Sequence, residues 1–359
     1  MPPERPNLPE VGSRASLPIR PAEQRALALA ADFPGESILC TTAGRAQAAW
    51  RLAQQRPAGR VSCWFLDDYQ RQLAASAYDG AATNLSLICA ADPPEDAIDL
   101  AVIPLSMHGE GELARDILQS ACIRLAIGGT LVAAVDNPRD KWLREQVEEL
   151  FGKATVEAFG DATVYAARKT AEPRKKRDFR CEFAFRDCGQ LIRAVSRPGV
   201  FAHRRADPGA RQLLAAAELT AGMRVLDIGC GAGTVALALA GRNPSVQVHA
   251  VDSNARAVEC TLAGAALNSL ANVTAELNAT GEYRDAGTYD LALANPPYYA
   301  DFRIAKLFLS AAHRSLKPGG RVIVVAKRKE WYEEFMLPRW NNVEHWPSKR
   351  YHVITATRP

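Results

Sequence analysis

The chain has 359 residues, of which 48% are hydrophobic and 23% are charged. This length favours two domains of ordinary size, and the composition excludes a wholly disordered chain and a collagen-like one. The formal net charge is only +4, but residues 1–168 carry 16 basic and 22 acidic side chains, whereas residues 169–359 carry 28 and 18. The second half is therefore the part expected to meet a polyanion.

The composition also bears on compartment and metals. No stretch approaches the roughly 18 uncharged apolar residues of a membrane span, and the N-terminus lacks the apolar segment of a secretory signal. None of the eight cysteines forms a C-x-x-C pair, and most lie within apolar runs. We therefore expect a cytoplasmic protein with buried free thiols, no membrane partner and no bound metal.

In chain order, the proline-rich residues 1–22 are expected to form a flexible tail. An α/β pattern follows over residues 23–168 and returns over residues 198–359. In both units short apolar runs alternate with helical patterns, which predicts a mostly parallel sheet with helices on both faces. The strands predicted in the second unit are 223–228, 246–252, 272–277, 289–294, 321–326 and 351–357.

The two units are similar to each other in sequence. A shift of 191 residues places 99–102 on 290–293 and, without a gap, 125–129 on 316–320. Helical stretches with matching apolar positions lie between these segments, and strand-like runs follow both glycine pairs. This agreement indicates an internal duplication rather than two unrelated α/β domains.

The stretch between the units is strongly basic. Residues 169–197 contain the run Pro-Arg-Lys-Lys-Arg at 173–177 and further arginines after it. The preferred interpretation of such a stretch is a solvated linker, and the alternative is a surface that contacts phosphates. We predict a basic linker over 169–197.

A glycine-rich loop lies where the first strand of the second unit ends. The run over 225–233 has the spacing D-x-G-x-G-x-G. Its members are Asp227, Gly229, Gly231 and Gly233. Glycines there let a ligand approach the backbone closely, and the following helix N-terminus offers free N–H groups. A dinucleotide fingerprint would need glycine in place of Thr234, so the loop suits a ligand without pyrophosphate. Such a loop is also found as an ordinary strand-to-helix turn.

Two polar residues follow the next two strands. Asp252 ends the second strand, 19 residues after Gly233, where a carboxylate can accept hydrogen bonds from both hydroxyls of a ribose. Its alternative role is that of a turn or helix-cap residue. Asn278 lies just beyond the third strand and either borders an adenine or is an ordinary loop residue.

The fourth strand ends in Asn295-Pro296-Pro297-Tyr298. The two prolines fix φ and stiffen the turn. The Asn295 side-chain oxygen and the Pro296 carbonyl can therefore form a pair of acceptors that matches the two N–H donors of an exocyclic amino group. Tyr298 offers a ring face for stacking on a planar base or amide. A Pro-Pro loop alone would be compatible with a plain turn, but the glycine loop and Asp252 upstream favour a site.

These motifs carry a family resemblance. The glycine loop, the acid at the strand end and N-P-P-Y, in this order, resemble a class I S-adenosylmethionine-dependent methyltransferase acting on amino nitrogen. The whole chain is similar to the two-domain ribosomal RNA guanine-N2 methyltransferases, in which a decayed copy of the fold precedes a working one. This closer resemblance rests on the duplication and on the segment 199–214, and residues 351–358 are similar to the family's last strand. Tyr298 departs from the phenylalanine frequent in the family, and the acidic first unit departs from a strong RNA-binding module.

The resemblance implies two tandem Rossmann-like methyltransferase domains, of which residues 198–359 are catalytic. It implies S-adenosyl-L-methionine as cofactor and ribosomal RNA or a ribosomal subunit as partner. The expected cofactor-binding residues are Asp227, Gly229, Gly231, Gly233, Asp252, Asn278 and Asn295. The expected catalytic residues are Asn295, Pro296, Pro297 and Tyr298. The expected substrate contacts are Phe201, Tyr298, Arg303 and Lys327, the two basic residues being surface charges otherwise.

The expected mechanism is alignment of a poorly nucleophilic amine. Acceptance of its two hydrogens by Asn295 and the Pro296 carbonyl raises the electron density on nitrogen and directs its lone pair at the methyl carbon. Because the amine is inaccessible within paired RNA, the base should be flipped out or already unpaired.

The first unit lacks most of these features, although Asp67 persists opposite Asp252. Opposite Asp227, Gly229 and Gly233 it has Cys40, Thr42 and Ala46, while Gly44 stands opposite Gly231. Opposite N-P-P-Y it has Pro-Leu-Ser-Met at 104–107. We therefore expect residues 23–168 to form a degenerate domain that binds no S-adenosylmethionine.

Other functions remain as alternatives. N-P-P-Y would serve a glutamine amide of a protein such as a release factor equally well, although such enzymes resemble a helical domain joined to one methyltransferase fold. A DNA adenine-N6 enzyme would need a target-recognition insertion that is not evident. A non-catalytic RNA-binding assembly factor would not need the intact glycine loop.

Overall fold

A computed structural model describes residues 18–78, 80, 82–297, 302–348 and 350–359. Residues 18–65, Gln70–Ile88 and Pro93–Lys176 form one compact unit, and Arg177–Pro359 with Leu66–Tyr69 and Cys89–Asp92 form a second. Most of the expected N-terminal tail lies outside the described residues. Its last two residues do not belong to a tail, because the first helix begins at Pro21, whose fixed φ suits a helix N-terminus.

The first unit contains a seven-stranded sheet of strand order β3-β2-β1-β4-β5-β7-β6. β1 is parallel to β2 and β4, β4 is parallel to β5, and β7 is antiparallel to both β5 and β6. In chain order its elements are α1 (Pro21–Ala30), β1 (Ser37–Cys40), α2 (Gln47–Gln55), β2 (Arg60–Phe65), α3 (Asp68–Tyr78), β3 (Leu85–Cys89), β4 (Ile98–Leu105), α4 (Gly111–Arg124), β5 (Leu125–Val135), α5 (Trp142–Phe151), β6 (Thr155–Ala158) and β7 (Thr163–Arg168).

The second unit repeats this topology in a sheet of order β12-β11-β10-β13-β14-β16-β15. Its central strands are parallel, and β16 is antiparallel to β14 and β15. Its elements are β8 (Cys181–Asp187), β9 (Gln190–Ser196), α6 (Pro208–Ala216), β10 (Arg224–Ile228), α7 (Thr234–Arg242), β11 (Gln247–Asp252), α8 (Ala255–Leu267), β12 (Val273–Leu277), β13 (Tyr289–Ala294), α9 (Arg303–Ser315), β14 (Leu316–Ala326), α10 (Glu330–Met336), β15 (Asn341–Ser348) and β16 (Tyr351–Thr357). The predicted fold class, two mostly parallel sheets with flanking helices and a duplicated unit, is confirmed.

The sheet of the second unit is covered on both faces, as its strand sequences require. Alternate residues of β10 face opposite ways. Val225 packs in one apolar cluster with α7, and Leu226 and Ile228 pack in another with Leu309 of α9. All six predicted strands are present, although β14 begins at 316 rather than 321. The sequence predicts no strand at β15, an edge strand whose residues are mostly exposed and which therefore lacks a clear apolar alternation.

Each unit also contains the same set of internal hydrogen bonds at equivalent positions. Asn84 donates its side-chain N–H groups to the carbonyls of residues 53, 56 and 59, and Asn272 does the same for residues 240, 243 and 246. The Asp99 carboxylate accepts from the Ser37 N–H at 3.0 Å, and the Asp290 carboxylate accepts from the Arg224 N–H at 2.7 Å. The aspartates that reveal the duplication thus hold neighbouring strands together.

The region predicted as a linker contains structure. Residues 181–187 and 190–196 form an antiparallel hairpin, β8–β9, whose Phe185, Ile192 and Ala194 belong to the apolar core of the second unit. The prediction of a linker over all of 169–197 is therefore wrong from residue 181 onward. The dense arginines hid a period-two alternation of buried and exposed residues, which is what a half-buried strand requires.

Three further structural expectations concern cysteines, membranes and metals. The eight cysteines form no disulfide in the described chain, and five of them are buried. None of the described helices has the length and apolar character required to cross a bilayer. Within the same residues no group of three or more His, Cys, Asp or Glu side chains is arranged to hold a metal ion.

Candidate active site

The glycine loop joins β10 to α7 and has a backbone conformation that would be strained for residues other than glycine. Gly229, Gly231 and Gly233 have φ values of 76°, 55° and 75°, in the left-handed region that favours glycine. The N–H groups of Gly229 and Cys230 donate to the Val251 carbonyl at 2.8 and 3.1 Å. The loop is therefore tied to β11 by its first residues, and its shape depends on glycine.

Asp252, at the end of β11, supports this loop directly. One carboxylate oxygen accepts from the Gly231 N–H at 2.9 Å, and the other accepts from the Asn254 N–H at 2.9 Å. Burial raises the pKa of Asp252 to about 6, because water that would stabilise its charge is excluded. A ligand that donates hydrogen bonds to this carboxylate would favour its ionised form.

Asp227 brings a second buried acid to the same loop. It is 3% exposed, and its Oδ2 accepts from the Ala236 N–H at 3.1 Å. Burial, together with the nearby charge of Asp252, raises the pKa of Asp227 to about 7. Two carboxylates of raised pKa beside a glycine loop create a region suited to a cationic ligand.

The end of β13 lies at the same place. Asn295 donates from Nδ2 to Asp207 Oδ2 at 2.9 Å. A cavity between the glycine loop and this strand end is lined by Phe201, Asp207, Asp227, Gly229, Gly231 and Asn295, among others. Four residues predicted to bind cofactor and one predicted to touch substrate thus share one cavity.

Other predicted residues lie elsewhere or have other contacts. Asn278 uses its side chain within a turn, donating to Glu276 and the Glu282 carbonyl and accepting from Thr280. This is the loop role, although its backbone N–H donates to the Asp252 carbonyl at 2.9 Å. Its contact with adenine stays a prediction.

The residues predicted to touch substrate have different environments. Phe201 is 59% exposed at the cavity rim. Arg303, the first residue of α9, and Lys327, just after β14, are exposed and do not line the cavity. Pro296 and Pro297 follow Asn295 directly, whereas Tyr298 lies outside the described residues.

Asp207 is the site residue that sequence reasoning missed. The pair Asp207-Pro208 predicts a helix N-terminus, and the Asp207 side chain does cap α6 by accepting from the Gly209 and Ala210 N–H groups. Nothing in the sequence connects it to Asn295, which is 88 residues away. Only packing of α6 beside β13 brings them together.

The equivalent loop of the first unit is filled by its own side chains. Thr42 Oγ1 accepts from the N–H groups of Gly44 and Ala46, both at 2.9 Å, and donates to Glu23. Glu23 also accepts from the Ala43 N–H at 2.9 Å and is fully buried. The equivalent position of the second unit is Ala210, which lines the cavity there. Ala46 adopts φ 61°, a conformation that glycine provides without strain in the second copy.

Comparisons with known proteins agree with this architecture. Residues 192–355 match the family model of the methyltransferase small domain. The ribosomal RNA small subunit methyltransferase C of Pseudoalteromonas translucida is 32% identical over 155 residues, which cover 42% of this chain and 45% of that protein. The protein of the same name from Klebsiella pneumoniae is 36% identical over 133 residues, which cover 36% and 38%. The matched part thus spans less than half the length of these curated relatives.

A solved structure is similar over nearly the whole chain. The T. thermophilus 16S rRNA N2 G1207 methyltransferase, solved in complex with AdoMet and guanosine, superposes with a TM-score of 0.77 at 23% identity. The match covers 94% of this chain and 92% of that one. The chain therefore has the tandem two-domain fold of that methyltransferase, and residues within its second unit match the methyltransferase small domain.

Proposed function

We propose that this protein is an S-adenosylmethionine-dependent N-methyltransferase that methylates the exocyclic N2 of a guanine in ribosomal RNA. The observation that carries the proposal is that the Asn295 amide, at the start of the N-P-P turn, lines the same cavity as the glycine loop and Asp227. The names of the curated relatives and of the similar structure support the choice of ribosomal RNA and of a guanine amine. The proposed compartment is the cytoplasm.

The residues of the cavity fit the cofactor. The Asp252 carboxylate would accept hydrogen bonds from the ribose hydroxyls, since it is partly buried and accepts from the Gly231 N–H of the loop. Among the described residues, an added Cβ at Gly231 would meet only Phe201, at 3.7 Å, so this part of the loop leaves room for close approach of a ligand. S-adenosylmethionine, when bound, supplies a methyl group carried by a positively charged sulfonium. The acidic surroundings of Asp227 would stabilise this charge.

The chain's part in the chemistry is to orient the amine. The lone pair of an exocyclic amino group is conjugated with the ring, which makes the nitrogen a weak nucleophile. Asn295 Oδ1 and the Pro296 carbonyl would accept its two hydrogens and stabilise positive charge developing on nitrogen. Holding the amine in line with the methyl carbon lowers the entropic cost of the reaction. Loss of the proton to water completes the step.

The first test is methyl transfer from labelled S-adenosylmethionine to unmodified small- and large-subunit ribosomal RNA or particles, followed by nucleoside analysis. We expect label in N2-methylguanosine, and a roughly 100-fold lower kcat for Asn295→Ala, by analogy with loss of one polar group that stabilises a transition state. Cofactor binding without RNA labelling would contradict the RNA proposal and favour a protein glutamine as acceptor. Absence of cofactor binding would favour a non-catalytic assembly factor.

A further inference from the structure

Asp207 makes three hydrogen bonds with one carboxylate oxygen. Its Oδ2 accepts from the N–H groups of Gly209 and Ala210 at 2.7 and 3.2 Å, and from the Asn295 amide at 2.9 Å. The first two bonds cap α6 and hold the carboxylate in one place. The third connects this fixed group to the amide that we place at the acceptor amine.

The Asp207 contact determines which way the amide points. An asparagine side chain has a donor end and an acceptor end of nearly the same shape. An ionised carboxylate only accepts hydrogen bonds, so the NH₂ end must face Asp207 and the oxygen end must lie on the other branch. A flipped amide would place Oδ1 of Asn295 against Asp207 Oδ2, and two acceptors would repel each other while losing the hydrogen bond.

Gly209 makes this close packing possible. A Cβ added there would lie 2.7 Å from Asp207 Oδ2, 2.9 Å from Asn295 Nδ2 and 3.0 Å from Asn295 Oδ1. The first two distances are shorter than real Cβ contacts and the third is tighter than most, and Gly209 has no positive φ that would otherwise require glycine. Glycine at this position therefore leaves room for the Asn295 amide. Because Gly209 has no side chain, the amide can lie against the first turn of α6.

On the basis of the proposed function, we propose that Asp207 is a positioning residue for Asn295. It holds the NH₂ end of the amide, so that Oδ1 is the end presented to the acceptor amine. A carboxylate bound to the NH₂ end also polarises the amide, which makes Oδ1 a stronger acceptor. Asp207 itself need not touch the substrate, and its effect passes through Asn295.

The test is Asp207→Ser, because the three hydrogen bonds share one oxygen and an asparagine that capped α6 would still accept from Asn295. Serine is as good an N-cap as aspartate, so α6 is retained, but its hydroxyl can donate to Asn295 Oδ1 or accept from Nδ2 and no longer specifies the orientation of the amide. We expect kcat for methyl transfer to fall by about tenfold or more. An unchanged kcat in an active wild-type background would overturn the proposal.

A double substitution separates positioning from a general structural effect. If Asp207 acts only through the amide, Asp207→Ser should have no further effect on kcat in an Asn295→Ala background. Additive losses would contradict the proposal. The matched control is Asp290→Asn, which changes a carboxylate bound to a backbone N–H at the far end of the same strand and should leave kcat unchanged.

A spectroscopic measurement distinguishes failure of this inference from failure of the proposed function. In protein labelled with ¹⁵N at asparagine, Asp207→Ser should shift the side-chain NH₂ resonances of Asn295, because the bond to a carboxylate is lost, whereas Asp290→Asn should not. This readout needs no RNA substrate. Unshifted resonances would overturn the inference even if methyl transfer occurs, and shifted resonances without any methyl transfer would retain the contact while rejecting the function.

Discussion

At the scale of single residues, burial of Asp252 couples the site to pH. Its pKa of about 6, raised from an ordinary 3.8 by burial, means that the folded protein binds a proton more tightly than the unfolded chain. In the ligand-free protein this carboxyl therefore stabilises the fold below about pH 4, and the contribution is lost as pH rises through 6. Ligand hydroxyls that donate to this carboxylate reverse the preference, because hydrogen bonds donated to the charged form favour ionisation.

We therefore expect S-adenosylmethionine to bind more weakly below pH 6. The dissociation constant should rise by up to about tenfold per pH unit, as protonation competes with the ligand. Calorimetric titrations between pH 5 and 8 would measure this, with Asp252→Asn as a variant that lacks the titrating group. Asp227, with a pKa of about 7, also titrates in this range, so a dependence retained in Asp252→Asn would assign the effect to Asp227 instead.

The roles of the site residues could not all be predicted equally well from residue type alone. The glycines of the loop could be predicted, because the need for positive φ is expressed in each residue and its close neighbours. Asn278 shows the opposite case: a polar residue after a strand fits both a ligand contact and a turn, and its side chain forms the turn. The type of a residue at a strand end determines which hydrogen bonds it can form, and its neighbours in the folded structure determine which partner it bonds to.

At the scale of elements, an asparagine in each unit holds the connection between a helix and the strand that follows it. Asn272 donates to the carbonyls of residues 240 and 246 at 3.1 and 2.8 Å, spanning the end of α7 and the start of β11. The corresponding Asn84 does the same in the first unit. Equivalent bonds in both units indicate a structural role that does not depend on ligand binding.

Asn272→Ala should therefore destabilise the protein without abolishing cofactor binding. Loss of these bonds leaves partly buried carbonyls unsatisfied, and we expect the free energy of unfolding to fall by about 1–3 kcal/mol. Urea unfolding followed by circular dichroism would measure the change. Asn341→Ala, at an exposed position of β15, is the control and should change stability by less than about 0.5 kcal/mol; equal effects of the two variants would contradict the assignment.

The hairpin β8–β9 shows where element prediction from sequence failed. Its Asp187 forms a two-bond ion pair with Arg242 of α7 at 2.7 and 2.9 Å, and its Arg193 backbone exchanges hydrogen bonds with Asn268. These partners are distant in sequence, so the local run of basic residues suggested a solvated linker. Tertiary contacts order a strand pair whose own sequence is ambiguous.

At the scale of the whole molecule, the duplication produced one open cavity and one filled loop. In the first unit Thr42 and Glu23 accept hydrogen bonds from the loop N–H groups of residues 43, 44 and 46. In the second unit the Gly231 N–H donates to Asp252 and the Cys230 N–H donates to the Val251 carbonyl. Burial raises the pKa of the Glu23 carboxyl, so this acid is held in an environment that disfavours its charge. The degenerate copy retains the fold because its sheet, helices and structural asparagine are intact.

We therefore expect the full chain to bind one molecule of S-adenosylmethionine. Calorimetry should give a stoichiometry of about one, because Thr42 and Glu23 occupy the loop of the first unit, whereas a cavity lies beside the loop of the second. Asp252→Ala should abolish the binding, because the carboxylate expected to hold the ribose is lost. A stoichiometry of two, or binding of one molecule that persists in Asp252→Ala at unchanged affinity, would contradict this expectation. Circular dichroism of the variant would verify that it remains folded.

Features that depend on contiguous residues could be predicted before the structure was known. Short segments are sufficient to recognise the strand and helix periodicity, the glycine loop, the N-P-P turn and the repeat at a fixed offset. The α/β class, the duplication and the family resemblance follow from these patterns. The tertiary structure alone decided the partners of these segments: Asp207 beside Asn295, Glu23 against Thr42, and the hairpin against α7. The physical reason is that a hydrogen bond between residues far apart in the chain depends on how whole elements pack, and packing is a collective property that no local pattern records.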